Sequence, residues 1–451
     1  MSVAIDETGA SRVEAADTKG LGGHPRGLTT LFFTEMWERF SYYGMRAILL
    51  LYMVTPAAGG GLQFDRKYAA LIYGTYVSSV YWMPLIGGWL ADKVFGARRA
   101  VLIGGIVIAC GHYSMVVHST TTFYLGLVLI AIGTGLLKPN ISTMVGDLYD
   151  EGDTRRDAGF SIFYMGINLG AFIGPLIAGY LAQRVDWHIG FASAGVGMTL
   201  GLIQYVLGRK RLQPAVARLT ETPRAQKAAA PAAGGFTADE WKRMGAIVIF
   251  FLVATLFWGA YEQAGSTLTL FADRYTRLDL FGVSFPSSWF QSVQPIFVIL
   301  LAPMFAWLWI RLGSREPSVP AKFAIGVLFM GLAFLLLVPA GSTAQSGTGI
   351  RVSPWWLIIS YGISELGELC VSPVGLSVVT KLSPVRIVGL MMGVWFLSNS
   401  FGNKLAGFAA GFFSTVPLAT LFGEVAAILI VASVVMFALV TPIRRMMGGV
   451  S

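Results

Sequence analysis

Charged residues are scarce in this chain: they make up 13% of its 451 residues, whereas 55% are hydrophobic. A soluble globular domain carries about 25% charged residues. The mean hydropathy is correspondingly high, at +0.65. This composition excludes an ordinary soluble protein of this size, because such a protein does not need so much apolar surface. We therefore expect the lipid bilayer to be its solvent.

Reactive and metal-binding side chains are also few. The two cysteines lie in apolar runs and indicate no disulfide framework, and the four histidines lack the spacing of metal ligands. There is no GxxxxGK[ST] loop, which argues against a built-in ATPase, and no catalytic triad or cofactor fingerprint. We expect neither an enzyme nor a resident metal or cofactor. The cysteines and histidines are Cys110, Cys370, His24, His112, His118 and His188.

A cleavable signal peptide is not indicated either, because the first 28 residues are polar and contain no apolar core. Apolar runs of 18 or more residues follow along the rest of the chain, and they predict about twelve membrane helices. We place these helices near 29–54, 68–92, 99–117, 122–146, 158–182, 189–208, 244–271, 287–310, 320–339, 354–380, 386–414 and 418–442.

The net charge of +9 is explained by topology. Of the 33 Lys and Arg residues, 23 lie in segments on one side of the twelve predicted helices and six on the other. The positive-inside rule then places both termini in the cytoplasm, and no nucleic-acid partner is needed to explain the basic charge. The remaining four lie inside helices: Arg39, Arg46, Lys138 and Lys404.

One long polar interruption divides the helices into six and six. The segment 209–238 is rich in Ala, Pro and basic residues and is typical of a linker. Two six-helix halves joined in this way resemble the major facilitator architecture, in which substrate binds between the halves at the midplane. We therefore predict an all-α membrane protein with a cytoplasmic tail at 1–28, bundles at 29–208 and 239–445, the linker at 209–238 and a second tail at 446–451.

The first helix carries charges that a membrane helix ordinarily avoids. Glu35, Glu38 and Arg39 fall at i, i+3 and i+4, so they share one helix face. Each charge near the bilayer centre costs about 2.5–3.5 kcal/mol, so such residues usually mark a functional site. Tyr42, Tyr43 and Arg46 continue this face. The pattern predicts the lining of a polar cavity for protons and an anionic or zwitterionic solute.

Complementary charges lie in the other predicted helices. Lys138 lies deep in the fourth helix, where its ammonium group can bind a substrate carboxylate. The structural alternative is a lysine whose side chain merely extends to the membrane surface. Trp258 and Glu262 lie in the seventh helix, and Glu365 and Glu368 in the tenth. Bases in one half and acids in the other can pair across a cleft and separate when it opens. The alternative is a set of static structural ion pairs. Tyr81, Trp82, Tyr164, Asn168, Trp395 and Ser398 are further candidates for the cavity wall, although most rings in such a chain are core or interfacial.

Four segments in order along the chain resemble the proton-dependent oligopeptide transporter family of the major facilitator superfamily. EMWERFSYYGMR at 35–46 matches its ExxER signature, and IFYMGINLGAFIGP at 162–175 resembles its FYxxINxG segment. FWGAYEQAG at 257–265 and GELCVSPVGLSVVTKLSP at 367–384 resemble its seventh-helix and tenth-helix motifs. The resemblance spans nearly the whole chain.

The resemblance implies roles for individual residues. Proton coupling would involve Glu35, Glu38, Arg39, Lys138 and Glu262. Gate ion pairs would form between Arg46 and Glu262 and between Lys138 and Glu368. The peptide carboxylate would face Arg39, Arg46 and Lys138, and its amino terminus Glu368. The rest of the binding pocket would comprise Tyr42, Tyr43, Tyr81, Asn168, Trp258, Glu262, Gln294, Trp395 and Ser398.

The chain also departs from the family pattern. Gln294 stands where many relatives have an asparagine that helps to hold the peptide amine. The segment 209–238 has no room for the two extra helices of many bacterial members, and the second helix has no histidine, so proton sensing would fall to carboxylates.

The resemblance thus implies a proton-coupled symporter that imports di- and tripeptides by alternating access across a bacterial cytoplasmic membrane. Its energy source would be the proton gradient, and no obligate protein partner is indicated. One alternative is a transporter of nitrate or another small anion on the same fold. A second is a receptor that does not transport. The presence of both a base, Lys138, and an acid, Glu368, favours a zwitterionic substrate, because a site for a small anion has no use for an amine-binding carboxylate.

Overall fold

The computed structural model describes residues 3–5, 11–13, 17–150, 153–213 and 235–448, and nearly all of the regular structure is helical. Most of the predicted linker at 209–238 therefore lies outside the described residues. A short 3₁₀ helix at Arg209–Leu212 lies at the start of this segment. At its end, Thr237 forms a capping box with Glu240. That cap satisfies the first free amides of the next helix.

Six long helices occupy the first half of the chain, at the places that the apolar runs predict. A wide π-helical turn at Ala91–Phe95 extends the second of them. The helices are α1 (Arg26–Val54), α2 (Arg66–Leu90), α3 (Ala97–Ser114), α4 (Thr120–Gly146), α5 (Arg156–Arg184) and α6 (Trp187–Leu207).

Eight further helices follow, and of the two short antiparallel hairpins one precedes α1 and the other follows α8. The helices are α7 (Ala238–Tyr261), α8 (Thr267–Tyr275), α9 (Val293–Leu312), α10 (Val319–Ala344), α11 (Trp355–Leu382), α12 (Val388–Ala410), α13 (Leu418–Ala438) and α14 (Val440–Met446). The hairpin strands are β1 (Val3–Ile5) with β2 (Ser11–Val13), and β3 (Asp279–Leu280) with β4 (Val283–Ser284). Because α7 and α8 form one interrupted span and α14 is short, the described part of the chain has twelve membrane-length segments.

Eight of these segments are long and apolar enough to cross a membrane on length and composition alone. The other four are α1, α2, α3 and α12. In α1 the cause is evident, because Glu35, Glu38, Arg39 and Arg46 crowd the middle of a 29-residue helix. Of the four segments that fail this test, α1 carries the most charged residues.

The seventh span is broken, which the sequence did not predict. We expected one helix over 244–271, but α7 ends at Tyr261 and a 3₁₀ turn at Glu262–Gly265 separates it from α8. Ser266, with φ −129° and ψ −92°, lies outside helical geometry. The break places the acid that the sequence singled out, Glu262, at a helix end.

The chain divides into two compact units. Unit 1 comprises residues 1–43, 83–174 and 191–228, and unit 2 comprises 44–82, 175–190 and 229–451. The C-terminal part of α1, from Gly44, and most of α2 thus belong to unit 2, together with α7–α14. The bundle boundaries predicted from the sequence, 29–208 and 239–445, stay a prediction.

Glycines allow close helix packing within each unit, as is usual for membrane helices. In unit 1, a methyl group on Gly104 would lie 2.6 Å from the carbonyl oxygen of Gly133, so α3 and α4 touch backbone to backbone. In unit 2, Gly326 and Gly367 bring α10 and α11 together in the same way. No larger residue fits at such contacts.

Two adjacent glycines at the end of α2 provide a matched test of this packing. A methyl group on Gly87 would lie 2.0 Å from the carbonyl oxygen of Gly135, whereas one on Gly88 would meet only the Cβ of Pro139 at 4.0 Å. We expect Gly87→Ala to destabilise the protein by about 1–3 kcal/mol through overpacking, and Gly88→Ala to leave stability unchanged. Thermal unfolding of both variants in detergent measures this, and equal midpoints would refute the α2–α4 contact.

Candidate functional site

The ExxER turn of α1 forms a buried ionic cluster in unit 1. The Nε of Arg39 lies 3.1 Å from Oε1 of Glu35 and also contacts Oε2 of Glu38. All three side chains are almost fully buried. The guanidinium also lies over the ring of Tyr42, 5.3 Å from its centroid. One base is therefore shared by two acids and an aromatic face, as the i, i+3, i+4 spacing predicted.

Glycines of α5 hold this turn in place. A methyl group on Gly170 would lie 2.2 Å from the carbonyl oxygen of Met36 and 2.9 Å from Cβ of Arg39. One turn earlier, Gly166 packs against Phe32 in the same manner. The segment YMGINLG therefore supplies the flat surface against which the charged turn of α1 packs.

The other predicted site residues of unit 1 surround the cluster. Lys138, half-buried on α4, lies within electrostatic range of the Glu35 carboxylate. Asn168 is buried on α5 and donates its amide to the carbonyl oxygen of Tyr164 at 3.0 Å. Tyr42 and Tyr43 contact each other edge to face, with centroids 5.1 Å apart. The structure thus brings together the unit 1 residues predicted for proton coupling.

Unit 2 contains a second buried ion pair. Nη2 of Arg46 contacts Oε2 of Glu262, and Nε of Arg46 donates to the hydroxyl oxygen of Tyr73 at 2.8 Å. All three residues are buried. The pair joins the C-terminal part of α1 to the break after α7. Its predicted function as a gate stays a prediction, but the two residues are in contact.

The break in the seventh span makes room for this pair. A methyl group on Gly265 would lie 1.8 Å from the Tyr73 hydroxyl oxygen and 2.9 Å from Nη2 of Arg46. Glycine is therefore required where the turn meets the guanidinium. Sequence reasoning missed Tyr73, because its role depends on a contact between α2 and α1 that no local pattern records.

Two buried acids lie on α11. Glu365 and Glu368 are both buried, one turn apart, and in the described part of the chain neither forms an ion pair. The Glu365 carboxyl lies beside Tyr261 and Gln294, and the Glu368 carboxyl beside Ser372. Glu365, noted in the sequence but given no role, is thus as deeply placed as Glu368.

Gln294 lies at a small cavity inside unit 2. The cavity is lined by both polar and apolar residues: Ala260, Tyr261, Leu268, Gln294, Met330, Ala333, Phe334, Ser360, Tyr361 and Ser364. Gln294, predicted to bind substrate, therefore lines a cavity, and its role in binding stays a prediction.

The remaining predicted pocket residues of unit 2 are dispersed. Trp395 is buried against Gly375 of α11, and the buried hydroxyl of Ser398 donates to the carbonyl oxygen of Trp395 at 2.7 Å. Trp258 is half-buried and contacts Tyr261 edge to face. Tyr81 is half-buried on α2. Lys138 and Glu368 belong to different units, so their predicted pairing stays a prediction.

Comparison with known proteins identifies bacterial transporters that are similar to this chain. The chain is 44% identical to the uncharacterized transporter YclF of Bacillus subtilis (strain 168), over 98% of both chains. It is 36% identical to a di-/tripeptide transporter of Lactococcus lactis subsp. cremoris, over 95% of this chain and 97% of the relative. It is 37% identical to the peptide transporter YePEPT of Yersinia enterocolitica, over 95% and 96%.

Solved structures agree with the sequence relatives. A crystal structure of the peptide transporter POT in complex with sulfate superposes with a TM-score of 0.88 at 40% identity, covering 96% of this chain and 98% of that one. The twelve-helix major facilitator fold predicted from the sequence is confirmed by this likeness. The model of the POT family matches residues 98–229 and 235–428. With relatives above 30% identity over nearly its full length, the chain belongs to the POT family.

Proposed function

We propose that this protein is a proton-coupled symporter that imports di- and tripeptides by alternating access. The observation that carries the proposal is the buried ion pair between Arg46 and Glu262, which joins the two halves of the sequence inside the bilayer. A proton on Glu262 cancels the attraction and frees the guanidinium. The names of the POT relatives, which include a di-/tripeptide transporter and a peptide transporter, support peptides as the substrate class.

The charge balance of unit 1 supports the proposed proton coupling. Arg39 neutralises one carboxylate, but both Glu35 and Glu38 contact it. This sharing is costly in a buried site, because Lys138 acts on Glu35 more weakly than Arg39 does and offsets the second carboxylate charge only in part. The cluster can therefore take up one proton, and the proton loosens the hold on Arg39. Lys138, within range of Glu35, is the second cation that can respond.

Substrate recognition rests on the two charged ends that all small peptides share. Arg39, Arg46 and Lys138 suit the carboxylate, and Glu368 suits the ammonium group. Glu368 is buried with one carboxylate oxygen lacking a hydrogen-bond partner, so an incoming ammonium would meet an unsatisfied acceptor. Tyr42, Tyr43, Tyr81, Asn168, Trp258, Gln294, Trp395 and Ser398 would shape the space around the peptide side chains.

The proposal includes a location and an energy source. The bacterial relatives and the charge distribution favour the cytoplasmic membrane with both termini inside the cell. The proton gradient would drive transport without a cofactor or obligate protein partner. A small-anion transporter is the weaker alternative, because the relatives above carry peptide-transport names and an anion site has no use for Glu368. A receptor without transport would not need a base that is shared by two acids.

The first test concerns coupling. Glu38→Gln removes one of the two acids that share Arg39, so we expect it to abolish dialanine accumulation driven by a proton gradient in proteoliposomes. Peptide counterflow needs no net proton movement and should persist. The unmutated protein should accumulate dialanine and should not accumulate nitrate. Full concentrative uptake by Glu38→Gln would exclude this acid from coupling.

The second test concerns the buried pair. Removing one partner leaves an uncompensated charge that can cost about 3–5 kcal/mol, so Arg46→Ala and Glu262→Ala should each impair transport and stability. Lys242→Ala is the matched control, because Lys242 pairs with Asp239 at 3.0 Å with both side chains exposed. Uptake rates and unfolding midpoints that resemble the control would show that the pair is dispensable.

The third test concerns the peptide amine. A charge-assisted hydrogen bond contributes about 1.5–3 kcal/mol, so acetylation of dialanine should weaken binding about tenfold or more. In Glu368→Gln the penalty should largely vanish, because the partner charge is already gone. Competition assays with both ligands on both proteins measure the coupling as a double-mutant cycle. Equal affinity of the unmutated protein for the two ligands would remove Glu368 as the amine site.

A further inference from the structure

Lys404 is an intramembrane cation that the transport site does not use. It lies on α12, six residues before the helix ends at Ala410, and its side chain is exposed. Its neighbours on the same exposed face are apolar: Phe401, Leu405 and Phe408. This face meets lipid, where an isolated ammonium is costly. Lys404 therefore needs a partner at the surface of the protein.

The amine of Lys404 lies at a seam between α2 and α12 within unit 2. It donates to the hydroxyl oxygen of Thr75 at 2.5 Å. The two helices approach closely beside this bond, because a methyl group on Gly407 would lie 2.7 Å from the α-carbon of Gly74. The Thr75 hydroxyl satisfies only one of the three ammonium donors. The contact orients the amine but does not neutralise it.

A second lysine lies at the other end of the same seam. Lys67 precedes Thr75 by eight residues, two helical turns, so both lie on one face of α2. Its Cγ lies 3.5 Å from where a methyl group on Gly411 would be, and Gly411 follows Lys404 by seven residues. The backbone positions of the two lysines are thus about 10 Å apart along the seam. Their long side chains can bring the two ammonium groups closer together than that.

The charge around the seam is predominantly positive. Arg66 donates to the hydroxyl oxygen of Ser414 at 2.6 Å and lies within electrostatic range of Arg274. The nearby acid, Asp65, accepts the backbone amides of Lys67 and Tyr68 at the start of α2. Among the described residues, no carboxylate forms an ion pair with Lys67 or Lys404. The seam is therefore complementary to an anion.

We propose that the Lys404–Thr75–Lys67 seam binds the phosphate group of an anionic phospholipid. The ammonium groups and the Thr75 hydroxyl supply donors for the phosphate oxygens, and the exposed apolar side chains Leu71, Phe401 and Phe408 contact the acyl chains. A lipid fits better than a soluble anion because these apolar side chains lie beside the donors. In the proposed orientation the site faces the outer leaflet.

Lipid at this seam would favour the packed arrangement of α2 against α12. The same unit holds the Arg46–Glu262 pair, and a phosphate that bridges α2 and α12 would resist their separation. Lipid binding itself does not depend on the proposed transport activity, so the two can fail separately.

The test titrates purified full-length protein in detergent with phosphatidylglycerol or with zwitterionic phosphatidylethanolamine and follows the unfolding midpoint. Phosphatidylglycerol should raise the midpoint of the unmutated protein and of Lys404→Arg. In Lys404→Gln, the lipid concentration for half the shift should rise roughly fivefold, because a basic residue near anionic headgroups contributes about 1 kcal/mol. Lys67→Gln should behave similarly, and Lys242→Gln, the exposed control, should match the unmutated protein. Phosphatidylethanolamine should not distinguish the variants.

Three results would overturn the proposal. If the unmutated protein and Lys404→Gln needed the same phosphatidylglycerol concentration for half the shift, the amine would merely extend to the membrane surface. Stabilisation by glycerol phosphate as strong as that by phosphatidylglycerol would indicate a soluble anion. If Lys404→Gln does not fold, native mass spectrometry of Lys67→Gln decides the matter, because undiminished retention of phosphatidylglycerol would contradict the site.

Discussion

A charge inside a bilayer must be neutralised locally, and this requirement organises the centre of the molecule. Arg39 is shared by Glu35 and Glu38, and Arg46 is held by Glu262 and the Tyr73 hydroxyl. In a low-dielectric interior each such interaction is strong, and each unpaired group is costly. One proton can therefore change which partners a base keeps, since it removes a whole charge from a small set.

Close backbone packing gives these charges their geometry. Gly170 lets α5 approach the turn that carries Arg39, and Gly265 lets the turn after α7 approach Tyr73 and Arg46. A side chain at Gly170 would push against the backbone of the turn that carries Arg39, and one at Gly265 would push against the Tyr73 hydroxyl and the Arg46 guanidinium. The glycines near the ionic groups thus have an electrostatic consequence, because the length of an ion pair depends on how closely its helices approach.

The sequence predicted the helical spans and the ExxER cluster because both depend on local patterns. An apolar run predicts a span, and i, i+3, i+4 spacing places three side chains on one face. It did not predict the break at Glu262, whose apolar flanks read as one continuous helix, or the bond between Arg46 and Tyr73. Both depend on contacts between segments far apart in the chain. Whether Lys138 meets Glu368 is a question of the same kind, since the residues lie in separate compact units.

Lys138 and Lys404 are both intramembrane lysines, but they differ in burial and therefore in the partners available to them. Each lies inside a membrane helix, and in the sequence both appear as lysines with apolar neighbours. Lys138 is half-buried near the Glu35 carboxylate, so a change in the protonation of the cluster alters its energy directly. Lys404 is exposed and bonded to a neutral hydroxyl, so its energy depends on what the membrane presents. Under the two proposals above, the first lysine would respond to protons and solute inside the protein, and the second would respond to lipid at its surface. The seam at Thr75 belongs to the same unit as the Arg46–Glu262 pair, so lipid bound there as proposed would make membrane composition a second influence on the helices that this pair joins.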